Sequence, residues 1–262
     1  MICIVAVIDF SSSSISAARY AADIAVAVEG KLLLVHLLSD DEENAPGINP
    51  SIEITAAREH LLRRTGNRIV IETALLGNER NNTLQQYCQD HQPWTIVMDT
   101  MHFRQHLMAK QTKISDFIGA VKAPLLLVHN DIHYDTFINI HIIKEQPEYP
   151  HGSSLVAYTR KWLQTLVKPN VTESMTIQEA TRSILVTNQF SSTPANLLVH
   201  PIITNEGPEY LYSFVRVNTP VLLPSLSLFT KEKTAEAQPL KVHNCAVCNG
   251  ACKSKKLQAK AE

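Results

Sequence analysis

The sequence predicts an α/β protein: a doubly wound, five-stranded parallel sheet followed by a smaller, degenerate α/β unit. Three observations point there. Short apolar, β-branched runs alternate with helical patterns through the first 130 residues. Each run is long enough for a strand buried on both faces and too short to cross a membrane. The resulting order, β-α-β-α-β-α-β-α-β, leaves right-handed crossovers over a parallel sheet as the economical solution.

The elements follow in order. Ile2 to Ile8 is a continuous apolar strand that ends at Asp9, Phe10 and four serines, any of which can accept the free N–H groups of a helix start. An alanine-rich helix from about Ile15 to Val28 is expected to stop at Gly30 as its C-terminal cap. Lys31 to Leu38 is a second strand, and an acidic loop from Asp40 to Glu43 follows it, broken by Pro46 and Gly47. Ser51 to Arg64 reads as a helix closed by Gly66, Arg68 to Leu75 as a strand, and Asn82 to His91 as a helix. Trp94 to Asp99 is the fourth strand. Ile114 to Val121 is a helix ended before Pro124, and Leu125 to His129 is the fifth strand.

The second half is less regular. Phe137 to Ile143 reads as a strand, Ser153 to Val167 as an amphipathic helix, and Val171 to Ile177 as a strand. Ala195 to Ile203 and Val221 to Leu223 are short strands bounded by prolines. This series looks like the first half with its opening strand and helix removed. From about Thr230 the composition turns to Lys, Glu, Ala, Gln and Pro. The expected divisions are therefore 1–130, 131–229 and a flexible tail over 230–262.

Composition excludes several classes of function. Of 262 residues, 45% are hydrophobic and 19% charged, enough to build a core and too apolar for global disorder. A formal net charge of −1 offers no basic excess to attract nucleic acid or an anionic membrane. The opening apolar run has no basic flank and meets Asp9 at once, which does not suit a secretory signal. Five cysteines, an odd number, make no disulfide framework, so the reducing cytoplasm is the expected compartment.

The first half resembles the universal stress protein family. The residues that carry this are Ile4 to Ser11, with its Asp9-Phe10-Ser11 turn, and the helix containing Ala17, Ala18, Tyr20, Ala21 and Ala22. The strands Leu32 to His36, Ile96 to Thr100 and Ala123 to Val128 complete the series in the family's order and spacing. The second half is similar to a worn copy, with Thr219-Pro220 before Val221 to Leu223 answering Ala123-Pro124 before Leu125 to Leu127. The resemblance implies a tandem protein of the adenine-nucleotide-hydrolase-like fold class. It also implies a nucleotide loop after the fourth strand, Gly-x-x-Gly, a spacer, then Gly-Ser or Gly-Thr, in those members that bind ATP.

That loop has a physical rationale. Glycines let the backbone approach phosphates, and N–H groups at a helix start neutralise their charge. Here the two early positions are Asp99 and His102, the later one is Gln111-Thr112, and no glycine lies between Gly77 and Gly119. Asp99 also sets a carboxylate where a triphosphate would sit, and like charges a few ångströms apart repel appreciably even at an effective dielectric of ~20. Only Asp9 and Thr112 survive from the implied nucleotide-binding set, and Asp9 has an alternative role in starting the following helix. ATP is not an expected cofactor. The segment Met101 to Lys110, with His102, Arg104 and His106, is expected to be a solvated surface loop.

The tail holds His243, Cys245, Cys248 and Cys252, three thiols and an imidazole within ten residues. Such donors suit zinc, copper(I) or an iron–sulfur cluster, although structural zinc sites usually draw on two separated pairs. Nearby Lys253, Lys255 and Lys256 would favour thiolate, so a dithiol redox switch is a second reading and an incidental grouping a third. The sequence contains no Gly-x-Ser-x-Gly elbow, His-Glu-x-x-His or Walker loop. His36, His129, His141 and His200 fall in or at the ends of strands, where structural histidines are common. The expectation is a non-catalytic stress protein acting through protein partners, homodimers among them, with no role for nucleic acid or membrane. The alternatives are a metal or thiol module in the tail and an ATP-binding regulator with a diverged site.

Overall fold

The structure is a computed structural model that describes residues 1–38, 49–77, 83–129, 132, 134, 137, 139–144, 152–165, 176–181, 195–201, 207–215 and 219–224. Met1–Phe229 form one compact unit, and 230–262 lie outside the described residues.

Five parallel strands make up the first half: β1 (Cys3–Ile8), β2 (Lys31–Leu37), β3 (Val70–Leu76), β4 (Thr95–Asp99) and β5 (Leu125–Val128). They lie in the order β3-β2-β1-β4-β5. This is the doubly wound arrangement, in which the strand order reverses between β1 and β4. The helices are α1 (Ser12–Ala27), α2 (Pro50–Arg64), α3 (Leu84–His91), α4 (Thr100–Ala109) and α5 (Ile114–Val121).

Strand alternation divides the core into two layers. Ile4, Ala6, Ile8, Leu32, Leu34 and Val97 face α1 and α2. Val5, Val7, Leu33, Ile96 and Met98 face α3, α4 and α5 with Phe103, Leu107 and Ile114. Strands buried on both faces need apolar residues at every position, which is why β1 shows no alternation in its sequence.

Two sequence expectations change. Met101 to Ala109 lie in helix α4 and Lys110 is its C-terminal cap, so this segment is not a loop. The helix starts directly after β4 and buries Phe103 and Leu107, one turn apart. At the end of α1 the left-handed residue is Glu29, with φ 51°. Gly30 serves another purpose, since a Cβ there would lie 2.7 Å from the carbonyl oxygen of Ile2. That closeness lets Lys31 N–H donate to the same oxygen and begin β2 beside β1.

The second half continues the same sheet through β6 (Asn139–Lys144), β7 (Thr176–Thr181), β8 (Leu197–Val199) and β9 (Val221–Leu223). It adds α6 (Gly152–Gln164), a 3-10 turn at Pro208–Leu211 and α7 (Tyr212–Val215). The full order is β3-β2-β1-β4-β5-β9-β8-β6-β7. β5 and β9 run antiparallel, pairing Leu125 with Leu223, Leu126 with Leu222 and Leu127 with Val221. Both core layers pass through this seam, Leu126 and Leu222 in one, Leu125, Leu127, Val221 and Leu223 in the other.

The registers of the two halves correspond. Ile4 pairs with Thr95 as Ile140 pairs with Leu197. Ile96 pairs with Leu125 as Leu198 pairs with Val221. The carbonyls of Pro124 and Pro220 each accept from the neighbouring strand, from Ile96 and Leu198, both at 2.9 Å. β6, flanked by β7 and β8, thus holds the central place of β1, so the opening strand and helix expected to be missing are present as β6 and α6. What has no counterpart among the described residues is the outer strand β3 with its helix. The strand expected over Val171 to Ile177 is observed at Thr176–Thr181.

Candidate functional site

In a doubly wound sheet, ligands sit beyond the carboxyl ends of the strands near the reversal of order. Asp9 follows β1, His36 lies at the end of β2, Asp99 ends β4 and His129 follows β5. His102 lies in the first turn of α4.

Asp9 organises the start of α1. Its Oδ1 accepts from the Ser11 N–H at 3.0 Å and the Ser11 hydroxyl at 2.6 Å. Ser11 in turn is the residue that caps the helix, its Oγ accepting from the Ser14 N–H at 3.2 Å. The Asp9 N–H donates to Ser14 Oγ. Burial alone would raise the Asp9 carboxyl, but the nearby His102 charge and the bonds from Ser11 and Ser14 outweigh it, so Asp9 is held below its ordinary value. Between Asp9 and Ser11, Phe10 adopts φ 63°, uncommon for a bulky residue. Its ring lies 4.4 Å from that of His36. His36 Nδ1 is 2.9 Å from the Ile8 carbonyl, which can only accept, so Nδ1 carries the proton.

Asp99 caps α4. Its Oδ1 accepts from the N–H groups of Met101 at 3.0 Å and His102 at 2.9 Å. The residue is 1% exposed. Its Oδ2 has no hydrogen-bond partner and lies 3.9 Å from Nδ1 of His129. Thr112, the other nucleotide candidate, lies beyond the far end of α4, where its hydroxyl donates to the Lys110 carbonyl. Ten helical residues, about 15 Å, separate it from the edge that holds Asp9. The structure does not bring the two together.

No glycine-rich loop intervenes between β4 and α4, and the first N–H groups of α4 are already bonded to a carboxylate. Nor, among the described residues, are three His, Cys, Asp or Glu side chains grouped to hold a metal ion. Cys3 and Cys88 are free and buried. Burial pushes both thiols up, Cys88 to about 12. His243, Cys245, Cys248 and Cys252 lie outside the described residues. Among the described residues, no helix is long and apolar enough to cross a membrane.

The corresponding edge of the second half is filled by its own side chains. His200, after β8, is fully buried. Its Nδ1 donates to the Pro201 carbonyl at 3.0 Å, and its Nε2 meets the Tyr210 hydroxyl. The Phe214 ring lies 5.4 Å away. From the first half, Arg104 of α4 places its guanidinium 4.1 Å from the centre of the Tyr212 ring. Sequence reasoning missed this closure. The available signal was Gly207-Pro208 followed by Leu211 and Phe214 at helical spacing.

No protein-family model matches the sequence, and no curated protein does. Solved structures are similar at low identity. A universal stress protein in complex with cAMP is 18% identical, with a TM-score of 0.34, and the match covers 49% of this chain and 97% of that one. A universal stress protein from Archaeoglobus fulgidus is 12% identical, with a TM-score of 0.46, over 85% of this chain and 96% of that one. The cytoplasmic domain of a prokaryotic cation chloride cotransporter is 9% identical, with a TM-score of 0.46, over 86% and 95%. At these values the likeness assigns neither a family nor a ligand to this chain. Two of these three structures are universal stress proteins.

Proposed function

We propose that this chain is a non-catalytic universal stress protein of tandem type, with a reduced second copy, that acts in the cytoplasm through protein partners and does not use ATP. One observation carries the reading: α4 follows β4 without a loop, and Asp99 takes the N–H groups that a phosphate would need. The tandem reading is supported by the matching registers of the two halves and by the self-complementary pairing at Leu126 and Leu222. Equilibrium binding of labelled ATP to the full chain tests it. No saturable binding is expected; a dissociation constant in the micromolar range overturns it.

A second reading rests on the sequence of the tail, where His243, Cys245, Cys248 and Cys252 supply donors for a soft metal such as zinc. Zinc titration with thiol counting before and after decides it. Three freely reactive tail thiols in the presence of zinc remove the metal and leave the redox or incidental alternatives.

A further inference from the structure

Among the described residues, the sheet ends at β3, which pairs with β2 and with no further strand. Backbone N–H and C=O groups of successive strand residues point to alternate sides. Leu76 turns its carbonyl to β2, where it accepts from the Leu38 N–H at 2.8 Å. By alternation, Ile71 and Thr73 present theirs on the outer side, a template on which another strand can pair. The side chains of β3 do little to deter one. Val70 is 54% exposed, and Glu72, the single charge of the strand, is engaged with Lys31 of β2 at 3.2 Å.

The outer side is occupied instead by a residue of α2. Arg58 donates its Nε–H to the Ile71 carbonyl at 2.9 Å, and its Nη1 donates to Glu59 Oε1 at 2.8 Å. The guanidinium so held takes one acceptor of the edge, and a docking strand would have to strip water from a cation. We propose that Arg58 guards this edge and keeps β3 from pairing with the β3 of a second copy of the chain. A second copy is the partner that the strand itself fits. Laid antiparallel about Thr73, Glu72 of one copy falls opposite Ala74 of the other, and Val70 opposite Leu76, so that like charges do not meet.

The test uses the full chain in sedimentation equilibrium, with far-ultraviolet circular dichroism to verify that each variant is folded. The variants are Arg58→Leu, Arg58→Lys, and Arg58→Leu combined with Thr73→Pro. Leucine keeps an apolar stem and removes the donor and the charge; lysine keeps a charged donor. Proline at Thr73 removes an outward N–H and no bond to β2, which an edge strand accepts. Arg58→Leu is expected to sediment at twice the wild-type mass, Arg58→Lys at the wild-type mass, and the combined variant to return to the wild-type mass. Should the combined variant fail to fold, Arg58→Leu with Val70→Lys replaces it, with the same expectation. Arg58→Leu at the wild-type mass overturns the proposal, since Arg58 then only ties α2 to β3. A heavier species that persists in the combined variant overturns it as well, because association would then run through another surface. The labelled-ATP experiment remains separate, and its outcome does not bear on this edge.

Discussion

His106 makes the protein's stability depend on pH over a defined window. It lies on α4 with its ring edge-on to Phe117, centroids 5.7 Å apart. Burial, with His102 and Lys110 close by as like charges, pushes its value from 6.5 down to about 4. A depressed histidine adds stability that is fully present above its unfolded value and is lost as pH falls through the window between the two. At pH 5, protonation favours the unfolded imidazole by a factor of about 30 and the folded one by about 1.1, a difference of ~2 kcal/mol. The perturbation is His106→Leu, which keeps an apolar contact for Phe117 and removes the titration. Urea unfolding of wild type and variant at pH 7.5 and pH 5.0 gives the double difference. Asp9, held low, loses its contribution only below its unfolded value of about 4 and so does not enter this comparison. Wild type is expected to lose ~2 kcal/mol more than the variant between the two conditions. Equal losses would refute the assignment of a half-buried, neutral imidazole.

Three further outcomes follow from the packing. The chain has two tryptophans, Trp94 and Trp162, stacked at 4.4 Å and 7°. Trp94→Phe should abolish the exciton signal in near-ultraviolet circular dichroism, and Trp162→Ala should cost ~3–5 kcal/mol; an unchanged signal in Trp94→Phe removes the stack. Leu126 and Leu222 face each other across the seam and are fully buried. Each truncation to Ala should cost ~2–5 kcal/mol, with tryptophan fluorescence and far-ultraviolet dichroism shifting together; separate transitions for the two probes would mean that the halves unfold independently. Cys3 and Cys88, raised by burial, should resist alkylation at pH 8 until the protein unfolds, as peptide mapping by mass spectrometry would show; rapid native labelling at either site contradicts the packing.

The first half was legible because β1, β2, β4 and β5 are buried on both faces, which leaves unbroken apolar runs such as Ile4 to Ile8 that few other structures require. Helix α4 was not. It follows β4 with no intervening residue, and Asp99 is at once the last residue of the strand and the cap of the helix, so no turn residue marks the change. The three polar and basic residues among Met101 to Arg104 and His106 hid the spacing of Phe103 and Leu107. The absence of a glycine loop could be read from sequence; that Asp99 bonds the start of α4 could not, because the bond depends on where α4 begins. In the second half, β6 was recognised as a strand, but its central place depends on pairing with residues 57 and 37 positions away in the chain, Leu197 and Ile177 among the partners, and local pattern carries no such information.

The antiparallel seam between β5 and β9 has a geometric outcome. Strands β1 to β4 run with β5, and β6 to β8 run with β9, so the carboxyl ends of the two halves point in opposite directions. Asp99 and His200, both buried, therefore lie at opposite rims of one continuous sheet.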